Sequence, residues 1–274
     1  MKKLSSVLLS LFFAFSLSAQ PQSVDRGEPV FQNDDVVFYK IDDHTWAGNG
    51  HMMSNESLYI VEGTNSALLI DAGTNIKDLD KVVASITNKP VKLVATHVHP
   101  DHTGASITYF DEIYIHPADT VNVASMMGNY QGKINYLKEG EVFDLGGRKI
   151  EVIHTPGHTP GSVTFLDYDA GYGFSGDSFG SGNLLVFDKM SSFIATCEKM
   201  KKIMADNGIK VLYPGHFFGA NLETPKRVDD MLAVSKGVMD GTMKGEPATN
   251  SLVQNALIIT GEGFRINYGE AALK

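Results

Sequence analysis

Val91-Lys-Leu-Val-Ala-Thr96 is an apolar run that leads directly into His97-Val-His99-Pro-Asp101-His102-Thr-Gly104. In an extended segment, side chains two positions apart point the same way, so the first two histidines of this motif face one point in space. Pro100 favours an extended backbone at the residue before it, and the turn that follows can bring Asp101 and His102 toward the same cavity. Four candidate ligands within six residues, at the end of a predicted strand, indicate a metal site.

Three further polar residues stand at the ends of predicted strands. They are His158 in Thr155-Pro-Gly-His158, Asp177 in Phe174-Ser-Gly-Asp177 and His216 in Tyr213-Pro-Gly-His216. Each is framed by glycine or proline, which predicts a loop above the edge of a sheet. Taken singly, Asp177 fits an ordinary turn, and His216 fits a surface or core side chain. Taken with the first motif, these imidazoles and carboxylates suit zinc, manganese or iron.

In this order, the motifs resemble those of the metallo-β-lactamase superfamily of binuclear metallohydrolases. The resemblance covers roughly residues 35–220 and includes the turn Leu69-Ile-Asp71-Ala-Gly73, upstream of the histidine motif. It implies an α+β protein with an αββα sandwich, in which two mixed β-sheets pack face to face and helices cover the outer faces. It also implies that the metal site lies in a cleft at one edge of the sheets.

The resemblance also implies which residue binds which metal ion. Carried over position by position, the first ion takes His97, His99 and His158, the second takes Asp101, His102 and His216, and Asp177 bridges the two. Two divalent cations are therefore expected, with zinc as the first choice and manganese or iron as alternatives. For Asp71 the resemblance implies that the carboxylate orients the metal-binding segment through hydrogen bonds. The alternative for Asp71 is a cap on its own turn.

The composition indicates a globular protein that does not bind nucleic acid. The 274 residues include 23 Lys and Arg against 32 Asp and Glu, a net charge of −9, whereas affinity for phosphates comes mainly from clustered basic residues. With 43% hydrophobic and 20% charged residues, the chain can bury a sizeable core. The single cysteine, Cys197, excludes an intrachain disulfide and a thiolate zinc finger. Apolar residues recur around it at helical spacing, which predicts a core position.

Residues 1–19 have the order of a secretory signal peptide: two lysines, a short apolar run, and small residues before a cleavage position at Ser18 or Ala19. The apolar run is too short to span a bilayer, which takes about 20 residues. An uncleaved membrane anchor is the alternative. We expect residues 20–274 to form a single metallo-β-lactamase-like hydrolase domain, periplasmic or secreted, with no stable membrane insertion. Loss of the two lysines would change its net charge from −9 to −11.

From about residue 35, short apolar runs alternate with helical patterns. The predicted strands are 36–40, 57–61, 67–70, 91–96, 112–115, 149–153, 162–166, 172–175 and 210–213. The predicted helices are 77–87, 102–109, 118–127, 192–206 and 224–240. A terminal hairpin is predicted from residues 256–260 and 264–268, and loops or arms are predicted over residues 20–34 and 241–255.

Two metal ions about 3.5–4 Å apart can share a water molecule and lower its pKa to about 7, which provides hydroxide at neutral pH. The expected reaction is hydrolysis of a small-molecule substrate by this bridging hydroxide, with Asp101 as the catalytic residue that orients it and moves its proton. Asp177 favours an ester, lactone or thioester, because β-lactamases of this fold usually have cysteine or no bridging acid there. The 58 residues after His216 contain one predicted helix and a hairpin. Glyoxalase II has a helical domain there that recognises glutathione, so this difference argues against a glutathione thioester.

Other functions are consistent with the same motifs. A periplasmic β-lactamase shares the ligand order and the export signal, and a mononuclear iron persulfide dioxygenase uses a similar ligand set. A binding module that keeps the fold without activity is disfavoured, because all seven ligand positions are intact. A nuclease is disfavoured by export and by the negative charge.

Two loops are candidates for contact with substrate. Met52 and Met53 lie in a loop between two early strands, where they either touch the substrate or fill gaps in the core. The segment Asn183-Leu184-Leu185 follows the predicted bridging aspartate closely and is expected to line the pocket. The histidines without motif context are expected to be structural or exposed. They are His44, His51, His116 and His154.

Overall fold

The computed structural model describes residues 26–128 and 130–274. The predicted signal peptide, residues 1–19, lies outside the described residues, as do residues 20–25. Among the described residues, every helix is too short or too polar to cross a bilayer.

The secondary structure of the described residues alternates strands with a few helices. The strands are β1 (Phe31–Gln32), β2 (Val36–Asp42), β3 (Thr45–Gly50), β4 (Ser57–Glu62), β5 (Ala67–Ile70), β6 (Val91–Val94), β7 (Glu112–Ile115), β8 (Lys133–Tyr136), β9 (Val142–Asp144), β10 (Lys149–His154), β11 (Val163–Asp167), β12 (Tyr172–Gly176), β13 (Asn183–Val186), β14 (Val211–Pro214), β15 (Glu246–Pro247), β16 (Leu257–Gly261) and β17 (Phe264–Tyr268). The α-helices are α1 (Leu79–Ile86), α2 (Thr120–Met126), α3 (Met190–Asn207) and α4 (Pro225–Asp240). Short 3-10 helices lie at Ala105–Tyr109, Pro117–Asp119, Gly180–Gly182 and Glu270–Leu273.

The core is built in layers by the alternation of side chains along each strand. On β4, Leu58 and Ile60 pack with residues of α1 and α2, whereas Tyr59 and Val61 pack against the strands of a second sheet. This period of two is what a strand buried on both faces produces. The far side of the second sheet packs on α3 and α4. The order of layers is therefore helices, sheet, sheet, helices, which confirms the predicted α+β sandwich.

Both main sheets are mixed, as predicted. The first has the order β1-β2-β3-β4-β5-β6-β7-β8, antiparallel up to β5 and parallel from β5 to β8. The second has the order β14-β12-β11-β10-β9, with β12 and β14 parallel and the other pairs antiparallel. Neighbouring parallel strands end at the same edge of a sheet, so the loops that follow them gather there.

A third sheet, of order β13-β17-β16-β15, differs from the prediction of two sheets and a terminal hairpin. The predicted hairpin is present as β16 and β17. However, β13 pairs in parallel with β17, from Asn183 opposite Arg265 to Val186 opposite Tyr268. The two paired segments lie far apart in the sequence, so local patterns carry no information about this pairing.

The predicted helix over residues 102–109 is wrong in its first half. The backbone N–H groups of His102 and Thr103 both donate to the His99 carbonyl, at 3.0 and 2.8 Å, which makes a turn, and a 3-10 helix begins only at Ala105. A Cβ atom at Gly104 would lie 2.2 Å from the carbonyl oxygen of Thr74. This close approach of two chain segments explains why a glycine ends the turn.

A buried aspartate, Asp119, links the two halves of the sandwich. Its carboxylate accepts hydrogen bonds from the backbone N–H groups of Val98, at 2.9 Å, and Gly161, at 2.7 Å. The hydroxyl of Thr159 donates a third, at 2.9 Å. Burial of the carboxyl group raises its pKa. Val98 lies inside the first histidine motif and Thr159 directly follows His158, so one carboxylate fixes the positions of both segments.

We expect Asp119→Asn to lower the free energy of unfolding by about 2–4 kcal/mol, because an amide leaves at least one buried donor unpaired where a carboxylate accepts three. The measurement is chemical denaturation of the metal-loaded protein. The matched control, Asp169→Asn, changes an exposed carboxylate in the turn between β11 and β12 and should alter the value by less than about 0.5 kcal/mol. Equal losses in the two variants would contradict the linking role of Asp119.

Candidate metal centre

Three histidines converge where β6 and β10 end. The Nδ1 atom of His99 lies 3.0 Å from Nε2 of His97 and 3.0 Å from Nε2 of His158. Nitrogen ligands at 2.0–2.1 Å from a tetrahedral zinc ion are about 3.3 Å apart, so these three nitrogens have nearly the spacing that one cation needs. The structure thus brings together the three residues predicted to bind the first ion.

A second cluster of two carboxylates and two histidines lies beside the first. The Nε2 atom of His216 lies 3.4 Å from Oδ2 of Asp101 and 3.4 Å from Oδ2 of Asp177. The Nε2 atom of His102 lies 3.8 Å from Oδ2 of Asp101 and 3.8 Å from Oδ1 of Asp177. Oδ2 of Asp177 is also 3.7 Å from Nε2 of His158, in the first cluster. Asp177 therefore stands between the two clusters, the place implied for a bridging ligand.

Buried atoms without hydrogen-bond partners show that this donor set fits cations. His102 Nε2 and Asp177 Oδ1 are buried and have no hydrogen-bond partner within the part of the chain that the structure describes. Leaving such an atom unpaired lowers the stability of the fold by about 1–3 kcal/mol, unless another partner, such as a metal ion, binds its lone pair. Potential ligand atoms lie within 4.8 Å of one another in three groups: His97, His99 and His158; His97, His102 and Asp177; and Asp101, His102 and His216.

The first cluster favours neutral imidazoles. Burial, reinforced by the neighbouring imidazoles of His102 and His99, lowers the pKa of His97 well below its ordinary value. Burial, together with His158, lowers the pKa of His99 to about 3. A histidine must be neutral to bind a metal ion through its lone pair, so these residues are in the right protonation state at neutral pH.

The second cluster is rich in charge. Burial opposes protonation of His102, but Asp71 and Asp101 outweigh it and raise its pKa to about 9. Burial likewise opposes ionisation of Asp177, yet His216 and His102 hold its pKa well below the ordinary value. In the metal-free chain, protons on imidazoles thus balance the carboxylates, and a divalent cation would supply the same positive charge.

Asp71 orients the histidine motif. Its carboxylate accepts hydrogen bonds from the Thr96 backbone N–H at 2.7 Å, from the Thr96 hydroxyl at 2.8 Å, and from Nδ1 of His102 at 2.8 Å. These partners are 25 and 31 positions away in the chain, so a cap on the local turn does not account for them. Asp71 has a φ of +62°, in the left-handed region that aspartate adopts more readily than most residues. The bond to Nδ1 leaves Nε2 of His102 facing the cleft.

Hydrogen bonds to other segments position His158 and His216, two of the predicted ligands outside the first histidine motif. His158 donates from Nδ1 to the carbonyl oxygen of Leu185 at 2.7 Å, which leaves Nε2 for the cleft. The backbone N–H of His216 donates to the hydroxyl of Ser181 at 3.0 Å. Upstream in the same loop, the Gly215 carbonyl accepts from the N–H of Ser57 at 2.6 Å. The contacts that position these two imidazoles therefore come from residues outside the sequence motifs.

The exposure of Met52 and Met53 excludes one of their two interpretations. Their side chains are 49% and 46% exposed, so they do not fill gaps in the core. The side-chain amide of Asn49, at the base of their loop, donates to the carbonyls of Asn55 at 3.2 Å and Phe217 at 2.7 Å. Because Phe217 directly follows a predicted ligand, this loop stands beside the cleft.

The prediction that residues 183–185 line the pocket is wrong for two of the three side chains. Leu184 is buried in the core between α3, α4 and the third sheet. The side-chain oxygen of Asn183 accepts a hydrogen bond from Asn267 at 2.9 Å, within that sheet. These residues form β13, whose alternation turns Leu184 inward. Leu185 contributes its backbone carbonyl to the cleft through His158.

The remaining histidines lie apart from the cleft, as predicted. His44 and His51 are exposed. His116 and His154 stack on each other, with ring centroids 4.0 Å apart. Cys197 is fully buried in the core beneath α3, and burial raises its pKa well above the ordinary value, which confirms a packing role.

Two residues near the cleft escaped the sequence analysis. Asp119 follows β7, and an acid just beyond the end of a parallel strand was a usable signal. Phe187 gave none. Its ring lies edge-on to the imidazoles of His99 and His158, with centroids 5.5 and 5.4 Å away, and is 43% exposed. Phe187 therefore provides an apolar surface directly beside the first histidine cluster.

Known proteins share this fold and part of this sequence. The metallo-beta-lactamase from Pontibacter korlensis has a TM-score of 0.59 and 17% identity, over 73% of this chain and 99% of that chain, a likeness of fold alone. The human acyl-coenzyme A thioesterase MBLAC2 is 27% identical over 210 residues, 60% of this chain and 74% of that protein. The hydroxyacylglutathione hydrolase of Chelativorans sp. (strain BNC1) is 26% identical over 183 residues, 60% of this chain and 69% of that protein.

The family model described as the Metallo-beta-lactamase superfamily matches residues 54–216. The match begins before the Asp71 turn and ends at His216, so it spans every predicted ligand and more than half of the chain. With the αββα layers and the clustered histidines and aspartates already described, it shows that the chain belongs to the metallo-beta-lactamase superfamily.

Proposed function

We propose that this protein is an exported, zinc-dependent hydrolase that cleaves a small ester, lactone or thioester, with an acyl thioester as the first choice. The observation that carries the proposal is the convergence of seven candidate ligands, with Asp177 between the two clusters. Five imidazoles and two carboxylates suit zinc, and manganese or iron are the alternatives.

The residues of the cleft have distinct parts in this reaction. One ion would be held by His97, His99 and His158, the other by Asp101, His102 and His216, and both by Asp177. When bound, such a pair of cations lowers the pKa of water and polarises a carbonyl group. Asp101 is the candidate catalytic residue. In the metal-free chain, burial raises the pKa of Asp101, but His102 and His216 outweigh burial and lower it, so the carboxyl group is ionised. We assign this carboxylate to take a proton from water and pass it to the leaving group.

A thioester suits this cleft better than an ester or an amide. A thiol has a pKa near 8.5, so a thiolate can leave without a proton from a general acid, and Asp101, whose pKa is lowered, is rarely protonated at neutral pH. The relatives named above are a thioesterase and a hydrolase of hydroxyacylglutathione, which support the same class of substrate. The aspartate at position 177 distinguishes the cleft from the usual β-lactamase pattern.

We expect the zinc-loaded mature protein to hydrolyse S-acyl thioesters with a kcat/KM at least about 100-fold above its value for the β-lactam nitrocefin. The assay is a panel of thioesters, esters, lactones and nitrocefin, combined with metal analysis that should find two zinc ions per chain. A chelator should abolish the activity, and added zinc should restore it.

Three results would contradict the proposal, two from this panel and its metal analysis and one from a separate oxygen-uptake assay with a persulfide. Faster turnover of nitrocefin would favour a β-lactamase. A single iron per chain with oxygen consumption on a persulfide would favour the dioxygenase. No turnover of any substrate with two metal ions verified per chain would favour a binding module.

We expect Asp71→Asn to reduce both zinc affinity at the second site and kcat/KM by about 10–100-fold, because the amide replaces one accepting oxygen with an NH2 group, which would face either the Thr96 N–H or Nδ1 of His102. The measurements are zinc occupancy at controlled free zinc and steady-state kinetics at low and at saturating zinc. Asp43→Asn, at an 87% exposed side chain in the turn after β2, is the matched control and should change neither. Reduced stability with unchanged zinc affinity would assign Asp71 to the fold alone.

Export is a part of the proposal that rests on residues 1–19. We expect the full-length chain, expressed in a Gram-negative host, to appear in the periplasm with a mass that corresponds to cleavage after Ser18 or Ala19. Leu9→Arg interrupts the apolar run and should leave the precursor uncleaved in the cell. Full-length protein in the membrane fraction would instead support the uncleaved anchor.

A further inference from the structure

A groove of about 760 Å³ lies beside the metal centre, on the side of the first histidine cluster. One wall is formed by residues 186–189, which join β13 to α3. The other walls are formed by residues 253–255 with Leu257, and by residues 269–272. The volume is in the range of small-molecule sites, about 300–1,000 Å³. The C-terminal walls lie outside residues 54–216, the part of the chain that matches the family model.

Phe187 connects the groove to the metal centre. It lines the groove, and its ring contacts the imidazoles of His99 and His158 by their edges. The backbone N–H of Phe187 donates to the carbonyl of His158, and that of Asp188 donates to the carbonyl of Gly157, both at 3.2 Å. A substrate whose reacting carbonyl lies at the cleft can therefore extend along Phe187 into the groove.

The walls of the groove combine amide groups with apolar surface. Gln254 and Asn255 are exposed and offer side-chain amides, which can both donate and accept hydrogen bonds. Val253, Leu257 and Ala272 supply apolar surface between them. The matching ligand is a chain that alternates amide groups with short apolar segments.

The charged residues of the groove have mixed signs. Lys189 is basic, whereas Asp188 and Glu270 are acidic. A groove with this balance does not attract phosphates, which need clustered positive charge. The groove therefore favours an uncharged portion of a ligand over a phosphate.

We propose that this groove binds the thiol arm of the substrate, a neutral, extended chain with amide groups such as the pantetheine portion of coenzyme A. The inference rests on the proposed thioesterase function. The arm lies on Phe187, its amides pair with Gln254 and Asn255, and its apolar segments contact Val253 and Leu257. The acyl group lies on the other side of the cleft. Burying a hydrocarbon chain against Gln254 and Asn255 would instead leave their amides unpaired.

The test uses two substitutions that narrow or alter the groove, and one control. Ala271→Trp places a large side chain at an exposed wall position. Gln254→Ala removes one amide from an exposed position, where loss of folding is not expected. Ala84→Trp, at an exposed position of α1, is the matched control. Zinc content is measured for each variant and should equal that of the unaltered protein.

The substrates are thioesters with one common acyl group and different thiol arms. We expect Ala271→Trp to lower kcat/KM for the S-acyl pantetheine by about 10–100-fold and Gln254→Ala to lower it by about 3–10-fold. For the S-acyl ethanethiol, the kcat/KM of both variants should stay within about twofold of that of the unaltered protein, because this substrate has no amide-bearing arm. The coenzyme A thioester contains the same arm and should show the same losses in kcat/KM, whereas losses confined to the glutathione thioester, whose arm carries charged groups, would overturn the inference.

A binding measurement tests the groove without turnover. S-methyl pantetheine has an amide-bearing arm but no free thiol to bind a metal ion, and its binding to the zinc-loaded protein is followed by calorimetry. We expect binding to the unaltered protein and to Ala84→Trp, and a loss of at least about tenfold in affinity for Ala271→Trp.

Different outcomes overturn different claims. If the unaltered protein hydrolyses no thioester, the proposed function fails, and binding of S-methyl pantetheine still decides whether the groove takes the arm. The inference would be overturned if Ala271→Trp lowered kcat/KM equally for the ethanethiol and pantetheine thioesters. It would also be overturned if the decrease in kcat/KM grew with the length of the acyl chain. Absence of S-methyl pantetheine binding would also overturn it.

Discussion

The metal centre concentrates two carboxylates and five imidazoles in a volume that is largely shielded from water. The rest of the structure depends on compensating these buried polar and charged groups. Buried charges and unpaired polar atoms are unfavourable unless they are compensated. Two further carboxylates provide the rigid frame. Asp71 and Asp119 each accept three hydrogen bonds from distant segments, and both are buried. They hold the ligand-bearing loops together.

The topology explains why these loops meet at all. Strands β5, β6 and β7 are parallel neighbours, so Asp71, the first histidine motif and Asp119 follow strand ends at one edge of the first sheet. In the second sheet, β12 and β14 are also parallel, and Asp177 and His216 follow their ends. Packing the two sheets face to face brings both sets of loops to one cleft, as is usual at the carboxyl ends of parallel strands.

How much the sequence reveals depends on whether a signal is local. Nine strands of the two main sheets, the terminal hairpin and four of the five predicted helices follow from periodicity, because their burial repeats every two or three to four residues. Strands β1, β3, β8 and β9 of these sheets were missed. In β3, Thr45–Gly50 includes three small residues and a buried asparagine, so its apolar pattern is weak. The pairing of β13 with β17 was missed because the local sequence of a strand does not indicate which distant strand it pairs with.

The same distinction holds for the cleft. The seven ligand candidates were predicted because imidazoles and carboxylates at strand ends are rare in combination, and each has a short motif around it. Asp119 escaped because it contacts loops rather than a ligand, and Phe187 escaped because an exposed aromatic residue has no pattern of its own. The groove next to Phe187 depends on residues 253–272, whose place beside the cleft is set by tertiary packing alone.

The third sheet makes the position of His158 depend on a distant part of the sequence. Strand β13 supplies the Leu185 carbonyl that orients His158, and β13 pairs in the described structure with β17, in which Arg265 lies 82 positions after Asn183. Every predicted ligand lies before β17 in the sequence, so this strand supports the metal centre without contributing a ligand to it. A variant that lacks β17 would therefore keep all seven ligands and lose the strand that holds the Leu185 carbonyl in place.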